Sequence, residues 1–409
     1  MPEAVDEPFR ALRQNRAIQE VIPLFALAVR ELPKGAGAAA VAARLTASVQ
    51  YSESDDLKGI NLLEISKSAD AAAVAKQLEK SPGVEYAELV PARWAAGARG
   101  ARKRPARRSR ERAGTAAKTD PMINRQWGLR AIQWFGRRWP DSSDIRVGVL
   151  DTGVDGNHPD LAFRFPYVST GGKREDIVGH GTHVTGIIAA ATNNTTGIAG
   201  ICRCALQVWK IFGDEPAEDG EYYVDEVMYQ RALNDARTKD MQVVNLSIGG
   251  TAYSRTEELL IRRLIENDCL VVAAMGNEYE QDNPLEYPAA FAGVVAVGAI
   301  TETNRRARFS NTGPHISLVA PGTNILSTLP LKASAYRNEE ETEYGAWSGT
   351  SMAAPHVTGA ATLLRAKARS LKAKEVAERL SKTAAKLPGM KGRRTTALGS
   401  GLLDLSALI

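Results

Sequence analysis

The run Ile145-Arg146-Val147-Gly148-Val149-Leu150 is mostly apolar and rich in β-branched residues, without the polar alternation of a half-solvated strand. Such a run has to be covered on both faces, as the strands of a parallel sheet flanked by helices are. In an open α/β sheet the crevice lies beyond the carboxyl ends of the strands. Asp151 follows the run directly, in Asp151-Thr152-Gly153-Val154-Asp155, and so stands where chemistry is placed. A second apolar run, Cys269-Leu270-Val271-Val272-Ala273-Ala274-Met275, ends in Gly276-Asn277-Glu278. With 409 residues, 44% of them hydrophobic, the chain can bury more than one core.

Downstream, Gly349-Thr350-Ser351-Met352-Ala353-Ala354-Pro355-His356 sets a hydroxyl among small residues where a loop would enter a helix. There Gly349 leaves room for a substrate backbone, and the Ser351 amide N–H can point at a developing oxyanion. A serine hydroxyl needs a base within about 3 Å and a buried carboxylate to hold that base in one tautomer. Of five histidines, His180 has the best context, because Gly179-His180-Gly181-Thr182-His183-Val184 opens a helix-like stretch. By contrast, His183 and His356 read as packing residues within helices, and His158, ahead of Pro159-Asp160, as a turn residue. Taken singly, Asp151, Asn277 and Ser351 also read as turn or cap residues; together they form a catalytic set.

The order Asp151, His180, Ser351, with these flanking motifs, resembles the subtilisin-like serine proteases (subtilases). The resemblance runs from about Asn124 to Gly401-Leu402-Leu403-Asp404-Leu405 and includes Ser310-Asn311 and Val319-Ala320-Pro321-Gly322. It implies a three-layer α/β domain with a mainly parallel central sheet, an endopeptidase activity and Asn277 as the oxyanion-hole donor. It also implies that Ser247, Ile248, Gly249 and Gly250 bind substrate as an added strand, with Glu278 on the rim of the primary pocket. An α/β-hydrolase would need Gly-x-Ser-x-Gly and the order Ser, Asp, His, which Ser351 does not offer. Acid-active serine-carboxyl proteases would replace His180 by glutamate and Asn277 by aspartate. A catalytically latent scaffold with the same fold is the remaining alternative.

Ahead of this part, strand-like and helix-like signals alternate from Ile22 to Pro91, a small split βαβ pattern of the α+β ferredoxin-like kind. Lys58 to Ile65 and Ser81 to Glu88 resemble subtilase propeptides, which implies an intramolecular chaperone and inhibitor. The expected domains are an extension at 1–20, a propeptide at 21–92, a basic linker at 93–120 and the peptidase at 121–409. From Arg99 to Arg112 the chain holds eight basic residues and one acid, so this run carries +7 of a net +5 and the remainder is slightly acidic. It reads as a protease-accessible activation segment, open to self-trimming or to another protease, or as a solvated spacer. Without aromatic interleaving it gives no nucleic-acid surface.

The loop Thr192-Asn193-Asn194-Thr195-Thr196-Gly197-Ile198 resembles the family's calcium loop. The implied ligands are the side chains of Gln126, Asp160 and Asn194 and the carbonyls of Thr192, Thr196 and Ile198. The acidic stretch Phe212 to Glu221, with Glu278, reads either as selection for basic residues upstream of the scissile bond or as solubilising surface. The acidic N-terminus lacks a secretory pattern and no apolar run reaches membrane-spanning length, so a cytoplasmic location is expected, or a secreted one if a signal was removed. Three cysteines, Cys202, Cys204 and Cys269, indicate no disulfide framework.

Overall fold

The structure is a computed structural model that describes residues 18–23, 43–49, 60–65, 69–81, 84–95, 120–161, 167–169, 175–332, 334–338 and 340–409. Most of the expected extension, the first alanines of the Ala38 to Ala47 stretch and the arginine run lie outside the described residues. The chain divides into two compact units, residues 1–92 with 252–260, and residues 93–251 with 261–409.

In the first unit, β1 (Ile18–Pro23), β2 (Ala43–Val49), β3 (Ile60–Ile65) and β4 (Val84–Leu89) form an antiparallel sheet in the order β1-β3-β2-β4. Helix α1 (Ala71–Glu79) begins at Asp70, whose carboxylate accepts from the Ala72 and Ala73 amides, a standard N-cap. Its Val74, Ala75 and Leu78 recur at helical spacing and pack with Leu63, Ile65 and Ala87 of the sheet. Strand β1 starts at Ile18, so ordered structure reaches into the expected extension.

The second unit opens with β5 (Trp94–Ala95), then α2 (Trp127–Ala131), β6 (Arg146–Asp151), β7 (Tyr167–Ser169), α3 (His180–Ala189) and β8 (Ala205–Lys210). It continues through α4 (Glu226–Thr238), β9 (Val243–Leu246), β10 (Ile248–Gly249) and β11 (Leu270–Ala274), while the residues of α5 (Arg255–Glu266) are divided between the two units after Leu260. It ends with β12 (Val295–Ile300), β13 (Ile316–Pro321), β14 (Ile325–Thr328), β15 (Tyr344–Trp347), α6 (Thr350–Lys367) and α7 (Ala373–Thr383). The seven strands β13-β12-β11-β9-β6-β8-β7, in that order, are all parallel. Strand β6 pairs with β8 on one side and β9 on the other, so the chain reverses its direction of travel across the sheet at β6. That is the switch point where α/β crevices open, and Asp151 ends β6.

Two pieces of the expected exposed linker are structured. Trp94 and Ala95 pair antiparallel with Gly249 and Ile248, and Asp120 is buried against the Asn193–Asn194 backbone. Backbone pairing with an open strand edge outweighs the local composition. Leu246, fully buried on β9 between β6 and β11, anchors the sheet centre. Leu246→Ala is expected to lower unfolding stability by about 2–5 kcal/mol, read as a shift in denaturant midpoint.

Candidate active site

Asp151 is fully buried at the end of β6, and its Oδ1 accepts from the Thr152 amide at 2.7 Å and from His180 Nδ1 at 2.7 Å. His180 is the first residue of α3 and is held there by a neighbour that sequence reasoning missed. Asp176 accepts from the Gly179 and Thr182 amides and the Thr182 and Thr152 hydroxyls, satisfying the donors at the helix start. The spacing of Asp176 ahead of Gly179-His180 was the available signal. At Gly181 a Cβ would stand 2.1 Å from the Gly153 carbonyl oxygen, so only glycine lets the helix start touch the turn after Asp151.

Ser351 lies in the first turn of α6 and is fully buried. Pro355 offers no N–H to the Ser351 carbonyl, and the Ser247 hydroxyl donates to that oxygen instead at 3.0 Å. In return the Ser351 hydroxyl donates to the Ser247 carbonyl at 3.0 Å. His180 Nε2 is buried without a hydrogen-bond partner among the described residues, so the structure joins Asp151 to His180 but holds the serine hydroxyl on Ser247. Asn277, after β11, accepts from the Thr350 amide at 2.9 Å and the Thr350 hydroxyl at 3.1 Å through Oδ1. This fixes the carboxamide and leaves Nδ2 as a buried donor without a partner among the described residues. A buried N–H so placed suits an oxygen that gains negative charge.

Along the expected substrate edge, Ile248 and Gly249 already carry an antiparallel partner in β5, and the Gly250 carbonyl accepts from the Tyr287 amide at 2.8 Å. Glu278 accepts from the Asn277 amide at 2.6 Å. Of the acidic loop, Asp214 binds Lys210, Asp219 accepts from the Tyr223 hydroxyl and Glu221 from the Tyr336 hydroxyl. These three acids are spent on internal donors. Three of the other histidines are structural: His183 stacks on Trp347 at 4.8 Å, His158 contacts the Glu343 carbonyl, and His356 the Met352 carbonyl. Burial pushes His183 down to about 3 and His356 down to about 4, so both stay neutral.

The expected calcium residues gather in one loop. Asn194 Nδ2 donates to Asp160 Oδ1 at 2.7 Å, Asp160 Oδ2 accepts from the Ile198 amide and the Tyr344 hydroxyl, and Gln126 Oε1 accepts from the Ala199 amide. The carbonyls of Thr192, Thr196 and Ile198 accept no hydrogen bond among the described residues. An all-oxygen set with three unengaged carbonyls fits a hard cation, provided Asn194 turns its oxygen rather than its nitrogen inward. Among the described residues no group of three or more His, Cys, Asp or Glu side chains could hold a metal.

Residues 142–401 match the profile of the Subtilase family, and residues 30–89 that of the fervidolysin N-terminal prodomain. Subtilisin BL of Lederbergia lenta is 36% identical over 286 residues, covering 69% of this chain and 97% of that protein. The major intracellular serine protease of Bacillus subtilis is 38% identical over 234 residues, covering 54% of this chain and 68% of that one. Among solved structures, fervidolysin from Fervidobacterium pennivorans, described as a keratinolytic enzyme related to subtilisin, superposes with a TM-score of 0.74 at 26% identity. That match covers 90% of this chain, which spans 60% of the fervidolysin chain. The family profile covers well over half of the chain, and the chain belongs to the subtilase family.

Proposed function

We infer that this chain is a serine endopeptidase made as a zymogen, with Ser351 as nucleophile, His180 as base, Asp151 as its orienting carboxylate and Asn277 as oxyanion donor. The observation that carries this reading is the 2.7 Å Asp151–His180 bond beside two buried nitrogens, His180 Nε2 and Asn277 Nδ2, that have no partner among the described residues. An imidazole nitrogen and a carboxamide N–H left open in this way are the groups that the base and oxyanion roles require.

Turning χ1 of Ser351 moves its hydroxyl from the Ser247 carbonyl toward His180. Nε2 takes the proton as Oγ attacks the peptide carbonyl, and the imidazolium that forms is stabilised by Asp151. Asn277 Nδ2 and the Ser351 amide hold the oxyanion; His180 then gives the proton to the departing amine, leaving an acyl-enzyme. Water activated by His180 releases the acid. Asn277→Ala is expected to lower kcat by about a hundred- to a thousandfold, the loss known for the same donor in subtilisin, with KM little changed.

Self-processing is supported by the direction of β5. Its residues Trp94 and Ala95 oppose Gly249 and Ile248 in turn, so Ala95 is the end of β5 nearer in register to Ser247, whose carbonyl holds the Ser351 hydroxyl. Intact mass and N-terminal sequencing should find wild type cut after this strand and before Asp120, and Ser351→Ala whole. A mutant cut like wild type would transfer the processing to another protease. Selection for basic residues upstream of the scissile bond belongs to the same reading, and rests on Glu278 more than on the acidic loop.

Calcium held by Asp160, Asn194 and Gln126 with the loop carbonyls would supply structural cross-linking, with no part in the chemistry. At a hundredfold excess over its Kd such an ion adds about 2.7 kcal/mol, or roughly 5–10 °C in Tm for a domain of this size. Thermal unfolding with calcium against chelator should show that gap, and Asp160→Asn should close it. A cytoplasmic location is favoured by Cys202, Cys204 and Cys269, all buried thiols.

A further inference from the structure

Lys210, the last residue of β8, is a cation at a buried strand end: its side chain is 2% exposed, and its neighbours across the register are Asp151 and Ser169. An ammonium taken out of water is tolerated only where it is paired and hydrogen-bonded, and a methionine of similar length would fill the space without that demand. Its Nζ donates to the Glu175 carbonyl at 2.8 Å and forms an ion pair with the Asp214 carboxylate.

These two partners belong to the two segments that frame the site. Glu175 precedes Asp176, whose carboxylate accepts from the Gly179 and Thr182 amides on either side of His180. Asp214 lies in the loop between Phe212 and Val224, two residues that are themselves bridged antiparallel. The returning arm of that loop flanks β5, since Tyr223 bridges Trp94 and the Val224 amide donates to the Arg93 carbonyl at 2.9 Å. Strand β5 thus runs between Ile248–Gly249 and Tyr223–Val224, and an extended substrate in its place would touch both edges.

A second tie joins the same two segments. The Tyr336 amide donates to the Val178 carbonyl at 3.1 Å, and the Tyr336 hydroxyl donates to Glu221 at 3.5 Å. The Ala335 amide adds a bond to the Ile177 carbonyl at 2.8 Å. The Tyr336 ring also meets Tyr222 edge-on, with centroids 6.3 Å apart. Residues 175–178 are therefore fastened to the loop near its start by Lys210 and near its end by Tyr336.

We propose that Lys210 is a positioning residue, a buried clamp through which the substrate edge at Tyr223–Val224 sets the place of His180. This rests on the serine-endopeptidase reading. A substrate strand long enough to pair with Tyr223 and Val224 holds the loop, and the loop holds residues 175–178 through Lys210 and Tyr336. That segment in turn carries the cap from which His180 projects. A catalytic group displaced by about 1 Å can lose about a hundredfold in rate, so the clamp acts on kcat for long substrates.

The test compares two substrates of the self-processed enzyme, a five-residue peptide anilide that reaches Tyr223–Val224 and p-nitrophenyl acetate, which does not. Lys210→Met is expected to lower kcat on the peptide about tenfold or more, with its KM and the ester rate within about twofold, and Lys210→Arg to restore most of the loss. No loss, an equal loss on both substrates or a loss confined to KM overturns the proposal. Should Lys210→Met not fold, Tyr336→Phe keeps the backbone bond to Val178 and is expected to show the same split at several-fold; an unchanged peptide kcat overturns it equally. A readout free of turnover uses the full chain carrying Ser351→Ala. Adding Lys210→Met there is expected to speed hydrogen exchange at the Gly179 and Thr182 amides about tenfold, with β11 unaffected. Unchanged exchange at those two amides overturns the clamp whatever the chain hydrolyses, whereas peptide hydrolysis undiminished by Ser351→Ala would sink the endopeptidase reading instead.

Discussion

Helix α6 is buried from Thr350 to Ala366, so every polar group along it has to be satisfied inside the protein. Small residues, among them Ala353, Ala354, Gly359 and Ala360, let the sheet and neighbouring helices close around it. At Gly359 a Cβ would meet Ile201 at 2.7 Å. Thr362 donates back to the Thr358 carbonyl, and Arg365 reaches Asp268. A helix with no solvent face offers chemistry only at its end, and the first turn of α6 opens at the sheet's crevice.

That end is tied to the sheet by a continuous set of hydrogen bonds. Thr358 donates to Asn245 Oδ1, Asn245 Nδ2 to the Ser247 hydroxyl, that hydroxyl to the Ser351 carbonyl, and the Ser351 hydroxyl back to the Ser247 carbonyl. Ser351 and the Ser247–Gly249 segment are thus joined by hydrogen bonds in both directions. Pro355 makes this possible, since a residue with an N–H would have claimed the Ser351 carbonyl for the helix. A site held by satisfied, buried donors stays in one geometry, which is what orientation contributes to catalysis.

Asp151, His180, Asn277 and Ser351 were legible in the sequence because each sits at the end of a strongly patterned element, and the pattern gives strand or helix without knowledge of the fold. Asp176 was not, since it acts through a cap whose geometry depends on the turn after Asp151. The expected linker misled for a similar reason: Trp94 and Ala95 have no strand signal of their own and become β5 through the open edge of Ile248–Gly249. The acidic loop shows a further limit, since a run of carboxylates says nothing of the tyrosine and lysine donors that engage Asp214, Asp219 and Glu221.

The turn after β11 is held from both sides, because Glu278 accepts the backbone N–H of Asn277 while Thr350 gives its amide and hydroxyl to the Asn277 carboxamide. One bond ties the turn to itself, and the other two tie it to the first turn of α6, where Ser351 follows Thr350. A carboxamide fixed at its oxygen holds its N–H in one direction, and a donor that needs no reorganisation is the kind that stabilises developing charge best. The proposed oxyanion and nucleophile roles therefore depend on the same hydrogen bonds, and loosening either element would disturb both.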